Sequence, residues 1–336
     1  MSRVKLGDVA REHKETIKGD KSNYPIVGLE HLIPENIRLT QWDYNKENTF
    51  TKVFRKGCVL FGRRRAYLKK AVYADFDGIC SGDITIIEAI PGKILPELLP
   101  FVIQNDDLFD YAVGKSAGSL SPRVKWEHLK NYEFELPDVE KQHELAQILW
   151  SIVETKESYE RLMAATDELV KSQFIELLNK TENKCIKKMS ELVSYLPKSS
   201  MNAADGKEIG LYPFFTSGLE QNKFTNNYLY DDECLIIGNG GVANIQYYNG
   251  KFATGSHSFV TKSKIPTVRI RYLYSYFYSN MDILEEGFRG VGIKNIPKEY
   301  INGINIPVPS IERQDNLISL FEQSDKSKFQ VGGIAA

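Results

Sequence analysis

Three consecutive arginines, Arg63, Arg64 and Arg65, follow an apolar run, Cys58–Phe61, and a glycine, Gly62. A buried strand ending in glycine would leave them on a loop at a strand end. There a guanidinium can clamp phosphate or pair bidentately with the O6 and N7 of guanine. Tyr67, Lys69 and Lys70 extend the stretch and suit phosphate contact rather than base reading. Residues 52–70 hold eight basic side chains and no acidic one. The competing reading is surface ion pairing with Asp75, Asp77 or Asp83. A second group is the loop 115–125, where Lys115, Ser119, Ser121, Arg123 and Lys125 stand among Gly114, Ser116 and Gly118. Small residues let a backbone approach a ligand closely, and the hydroxyls and cations serve phosphate or base. Its counterpart late in the chain is 289–295, with Arg289, Lys294 and Asn295 around Gly290 and Gly292. A third group is Asn239, Asn244 and His257. Asparagine pairs bidentately with adenine, although in a Gly-rich turn it also serves the backbone conformation.

A catalytic constellation is not visible. There is no Walker lysine, and the run from Gly238 to Gly241 lacks the spacing of a dinucleotide cradle. The Asn/Asp-Pro-Pro-Tyr/Phe tetrapeptide of adenine methyltransferases is missing. Asp138, Glu140 and Lys141 lie too close together for a metal nuclease and read instead as a helix start, with Asp138 as the N-cap. The five histidines, His13, His31, His128, His143 and His257, are scattered. Cys58, Cys80, Cys185 and Cys234 are far apart and predict reduced thiols, no metal site and a cytoplasmic setting. The N-terminus has no apolar core, so it does not read as a signal peptide, and no run is apolar enough to suggest a membrane span.

The elements that would position these residues form a pattern of module, long helix, module, short helix. The 336 residues carry a net charge of −1, so any DNA-binding surplus must be local. Residues 1–138 mix strand-like runs, such as Cys58–Phe61 and Ile84–Ile87, with Gly and Pro punctuation, and 96–109 looks helical. From 139 to 180 there is neither Pro nor Gly. Leu145, Leu149, Ile152, Tyr159, Met163, Val170 and Leu177 fall at helical spacing along a coiled-coil-like stripe, interrupted by Lys156, Thr166 and Gln173. Such a helix would be roughly 60 Å long. Residues 181–309 form a second mixed module, and 310–336 begin with a second helical stretch from Ile311 to about Lys328. The fold class expected is α+β, two mixed domains separated by long antiparallel helices.

The modules echo each other in order. Lys5-Leu6-Gly7-Asp8-Val9 matches Lys188-Met189-Ser190-Glu191-Leu192, and Cys58-Val59-Leu60-Phe61-Gly62 matches Cys234-Leu235-Ile236-Ile237-Gly238. Cys80-Ser81-Gly82 is loosely matched by Thr254-Gly255-Ser256. Pro137 followed by Glu140-Lys141-Gln142 matches Pro309 followed by Glu312-Arg313-Gln314. Four echoes in one order make a duplicated module–helix unit.

These residues, with Asp77-Gly78-Ile79-Cys80-Ser81-Gly82-Asp83 and Pro122-Arg123-Val124-Lys125-Trp126, resemble the specificity subunits of type I restriction-modification enzymes. The second module adds Tyr212-Pro213-Phe214-Phe215, Ile237-Gly238-Asn239-Gly240-Gly241 and Lys294-Asn295-Ile296-Pro297. The resemblance implies two target-recognition domains reading a bipartite site in double-stranded DNA, with no catalysis by the chain itself. It implies two partner methyltransferase subunits, which use S-adenosylmethionine for adenine-N6 methylation. It also implies translocating nuclease subunits, which use ATP and Mg²⁺; the chain itself would bind no cofactor. The second helix is shorter than the resemblance leads one to expect. It reads as a truncation that a second copy or a partner would complete. Two other readings stay open: a two-module scaffold that binds no DNA, and a free-standing nuclease or methyltransferase with a dispersed site.

Overall fold

The computed structural model describes residues 2–118, 120–219, 221–292 and 294–332, with side chains as far as residue 324. The chain divides into two compact units, Met1–Glu157 and Ser158–Ala336, called here module 1 and module 2. No helix among the described residues is long and apolar enough to cross a membrane.

Module 1 is built on an antiparallel sheet whose strands lie in the order Ala10–Glu12, Ile84–Ala89, Val59–Gly62, Ala71–Tyr73. Leu60 is opposite Ile86 on one side and Val72 on the other. Side chains alternate across a strand, so this register separates two cores. Val59, Phe61 and Ile87 face Leu99, Ile103 and Phe109. Leu60, Val72 and Ile86 face Leu32 and Phe54. A three-stranded sheet of Ile26–Val27, Gly78–Cys80 and Lys52–Phe54 covers the second core.

Module 2 repeats the plan on a larger sheet. Its order is Val193–Tyr195, Ser258–Ser263, Tyr230–Gly238, Ile245–Thr254, Tyr212–Phe215, Phe224–Thr225. Leu235 and Ile237 pack toward the helix Ile270–Ser279, while Cys234 and Ile236 pack toward Phe252 and Val260. In each module the first strand returns to pair antiparallel with the last: Ser2–Lys5 with Glu133–Leu136, and Cys185–Lys188 with Asn305–Val308. The sequence echo of Lys5 and Lys188 is thus an echo of structure. Both residues precede a one-turn helix, and their backbone N–H groups donate to Asp8 and Glu191.

The long helix runs Val139–Asn179, 41 residues, within a residue or two of the expected stretch. Asp138 accepts from the backbone N–H of Lys141 at 3.0 Å, as an N-cap does. Ala146, Leu149 and Trp150 pack on module 1, and Val170, Phe174 and Leu178 on module 2. Leu145, Ile148, Ile152, Leu162 and Leu169 remain exposed, so the apolar stripe is only partly used. The C-terminal helix, Ile311–Gly332, is longer than the expected end near Lys328. It lies antiparallel to the end of the long helix within module 2. Arg313 bonds to Thr181 and the Leu177 carbonyl, and Phe321 meets Phe174 further back.

One expected helix is interrupted. The span 96–109 is two pieces, Leu99–Ile103 and Asp106–Gly114, broken where the Asn105 side chain accepts from Asp107 N–H and caps the second. Asparagine favours this local bond over continued helix.

Both helices that follow the modules are pinned by one buried glutamine. Gln142 accepts from Leu95 N–H and donates to the Pro137 carbonyl, both at 2.9 Å. Gln314 accepts from Arg269 N–H and donates to the carbonyls of Thr267 and Pro309, each at 2.9 Å. The Pro–Gln echo of the sequence is therefore a joint between helix and module.

Candidate nucleic-acid interface

In module 1 the arginine loop leaves the sheet after Gly62 and crosses a hairpin closed by Ala117 and Arg123. Arg63 N–H donates to the Asp83 carbonyl (3.0 Å), Val124 N–H to the Arg63 carbonyl (2.9 Å) and Arg65 N–H to the Pro122 carbonyl (2.8 Å). Arg64 and Arg123 are bridge partners, and Ala117 and Arg123 exchange bonds at 2.9 and 3.0 Å.

Module 2 makes the same crossing. Asn239 N–H donates to the His257 carbonyl (3.0 Å), Ile296 N–H to the Asn239 carbonyl (3.1 Å) and Gly241 N–H to the Lys294 carbonyl (2.9 Å). Gly240 and Asn295 are bridge partners, and Arg289 and Asn295 exchange bonds at 2.9 Å. The hydrogen bonds equate Arg63 with Asn239, Arg64 with Gly240, Arg65 with Gly241, Asp83 with His257 and Arg123 with Asn295. Even the backbone strain matches: Arg65 (φ 54°) and Gly241 (φ +88°) both take a left-handed conformation, which costs a non-glycine residue roughly 1–2 kcal/mol. One buried polar atom at the same place in each, Arg63 Nε and Asn239 Oδ1, has no hydrogen-bond partner among the described residues. Buried polar groups are ordinarily hydrogen-bonded, so each such orphan calls for an explanation.

Side chains then divide the expected contacts. Arg123 grips Asp83 with two bonds, Nε to Oδ1 at 2.7 Å and Nη2 to Oδ2 at 3.1 Å. Arg64 donates to Ser121 and approaches Asp83 at 3.8 Å. The hydrogen bond from Arg123 holds the Asp83 carboxyl below its ordinary pKa. The ion-pair reading of this loop and the DNA reading therefore meet in one cluster. Arg65, Tyr67 and Lys125 are exposed. Lys69 pairs with Asp106 at 2.5 Å, and Lys70 Nζ donates to the Leu29 carbonyl at 2.8 Å, so these two are spoken for inside the module. Lys115 sits over the Tyr111 ring, 5.7 Å from its centre. Ser119 lies outside the described residues. In module 2, His257, Arg289, Lys294 and Asn295 are exposed at the crossing. Arg289 bends back to the carbonyls of Glu286 and Phe288. Asn244 is buried and donates to the carbonyls of Ser217 (2.6 Å) and Val242 (3.2 Å). Its amide is spent on shaping the turn, the second of the two roles open to it. The sequence offers Asp83 as a competitor for the arginines and as the end of the Asp77–Asp83 motif, not as a member of the site. Its place directly before the strand Ile84–Ala89, like that of His257 before Ser258–Ser263, was the available signal.

Two clusters could in principle offer metal donors: His13, Cys58 and Glu88, and Glu30, His31 and Asp43. In the first, His13 bonds Glu88 (2.8 Å) and Glu15 (3.3 Å), Arg11 takes the other Glu88 oxygen, and Arg55 takes Glu15. Burial pushes the Cys58 thiol up to about 11, away from the thiolate a metal binds. In the second, His31 Nδ1 accepts from Gly28 N–H. Asp43 also takes a bond from Lys46, so in both clusters part of the donor set is already engaged.

A family model of the type I restriction modification DNA specificity domain matches residues 1–164 and, a second time, 180–331. The chain belongs to this family. Its two modules are two copies of the specificity domain, and the paired crossings are what the duplication preserves. The S subunit of a type I restriction-modification system from M. genitalium has a similar structure. The match covers 99% of this chain and 91% of that one, with a TM-score of 0.58 at 13% identity. A structure described in terms of complex assembly and conformational transition of the type I R-M system matches over 99% of this chain and 92% of that one (TM-score 0.54, 17% identity). At these identities the likeness is one of fold. No curated protein matches the chain. As a member of the specificity-domain family it is a DNA-recognition component, with an α+β fold of two repeated domains and long helices.

Proposed function

We propose that this chain reads a bipartite site in double-stranded DNA, one half per domain, and has no catalytic centre of its own. Residues 1–138 and 181–309 are the two readers, and 139–180 and 310–336 carry the helices on which partners assemble. The observation that carries the reading is the recurrence of one main-chain crossing, with exposed cations and amides, at the same place in both domains. Positive charge at such a crossing draws in phosphate, and the fork of arginine and the amide of asparagine read base edges. Two methyltransferase subunits supply adenine-N6 methylation with S-adenosylmethionine, and nuclease subunits supply ATP- and Mg²⁺-dependent restriction. The assembly works in the cytoplasm. The exposed stripe of Leu145, Ile148 and Ile152 gives partners an apolar surface.

The test is methylation mapping of DNA from cells expressing the chain with its neighbouring methyltransferase, against cells lacking the chain. N6-methyladenine in one split motif with a fixed gap, present only with the chain, is the expected result. Binding of DNA that is unaffected by salt, or methylation that is independent of the chain, would sink the reading.

A further inference from the structure

We infer that the apex of each hairpin at the crossing is an apolar probe for the C5-methyl group of thymine: Leu120 in the first domain and Val291 in the second. This rests on the bipartite-DNA reading above. The two hairpins share their closure and their length. Ala117 bridges Arg123, and Arg289 bridges Asn295, each pair through two main-chain bonds. They enclose residues 118–122 in one domain and 290–294 in the other. Each turn opens on a glycine at positive φ, Gly118 (+114°) and Gly290 (+132°), a backbone that other residues rarely adopt. A branched apolar side chain then stands at the turn, one place apart in the two domains. Leu120 is 92% exposed and Val291 107%. Neither helps to fill the core of its module.

A single exposed apolar side chain is ordinary on a protein surface. What carries the inference is its recurrence at the apex of the same hairpin in both domains, beside exposed cations. Arg65 and Lys125 stand beside one apex and Lys294 beside the other. Leucine and valine carry no charge and form no hydrogen bond, so phosphate gives them nothing to bind. A two-stranded ribbon fits the major groove, and the apolar group on a base edge there is the thymine methyl. In the minor groove an apolar apex would have to wedge between base steps instead. The hairpins are also held in place before DNA arrives. Arg64 donates to the Ser121 hydroxyl next to Leu120. Arg289 bends back to the carbonyls of Glu286 and Phe288 at the foot of the other turn.

The experiment measures binding by the chain assembled with its methyltransferase to duplexes carrying the mapped split motif. Each thymine is replaced in turn by uracil, which differs only in lacking the methyl. Loss of one buried methyl should weaken binding roughly 4-fold at one position in each half. In Leu120→Ser that penalty should vanish in one half and persist in the other, and Val291→Ser should do the reverse. Both side chains are exposed, so neither variant should shift thermal unfolding. Neither removes a charge, so the salt slope should stay that of the wild type. Uracil and thymine that bind alike at every position, or a uracil penalty that survives both serine variants, overturn the inference and leave the bipartite reading intact. So does a uracil-insensitive duplex in which 2-aminopurine brightens at one step, since that apex would be wedging between bases. A wild-type assembly that yields no split motif overturns the bipartite reading itself.

Discussion

Replacing Gln142 with alanine should loosen module 1 and leave module 2 alone. The side chain is buried, and its removal orphans the Leu95 N–H and the Pro137 carbonyl. A buried backbone group left unpaired costs about 1–3 kcal/mol, so the pair predicts a loss of about 2–6 kcal/mol. In a domain of this size that lowers Tm by roughly 4–24 °C. The assay is supplied by the sequence: Trp42, Trp126 and Trp150 are the only tryptophans, and all three lie within Met1–Glu157. Tryptophan fluorescence therefore follows the unfolding of module 1 alone, while circular dichroism follows both modules. Gln142→Ala should move the fluorescence transition. Gln314→Ala, which orphans Arg269 N–H and two carbonyls, should move only the dichroism. Gln142→Glu should also lower the fluorescence transition at neutral pH, because a carboxylate can still accept from Leu95 N–H but has no hydrogen to give Pro137. A fluorescence transition unmoved by Gln142→Ala, or moved equally by Gln314→Ala, would refute the joint.

Three further outcomes follow from the same structure. Hydrogen bonds from Arg55 to Glu15, from Lys56 N–H and Arg55 to Asp77, and from Arg123 to Asp83 hold these carboxylates below their usual pKa. Their stabilisation is present above the unfolded pKa, near 4, and is lost as pH falls through the lower folded values. The fluorescence transition should therefore weaken on acidification below about pH 4, and Asp83→Asn should flatten that dependence. Lys125→Ala or Lys294→Ala should each weaken binding uniformly across DNA sequences and reduce the salt slope by about one. Cys58, Cys80 and Cys234 are buried, with thiols pushed up to about 11, 12 and 12, whereas Cys185 is exposed. Alkylation of the native chain should label one thiol rapidly and the other three only on unfolding; a second fast thiol would contradict the burial.

The long helix was legible because its cause is local: more than ten turns without Pro or Gly, with apolar residues at helical spacing. The duplication was legible because order survives divergence. The crossing of the loops was not, since it depends on main-chain bonds between residues some sixty positions apart, such as Arg65 with Pro122, and side-chain identity does not encode them. For the same reason the charge run 52–70 looked like one surface. Folding instead sends Lys69 to Asp106, Lys70 to Leu29 and Arg55 to Glu15 and Asp77, leaving Arg63, Arg64 and Arg65 at the crossing. Gln142 and Gln314 were visible as a repeated letter, but their role as a joint needed their partners.

The bonds that the two crossings share are main-chain bonds. They run from N–H to carbonyl, so the shared loop path does not depend on which side chain stands at position 63, 64 or 123. Module 2 already carries asparagine, glycine and asparagine there on the same frame. A frame indifferent to its side chains lets a new reading arise by single substitutions, with no refolding in between. On the function proposed above, the surface that names the DNA is thereby free to change.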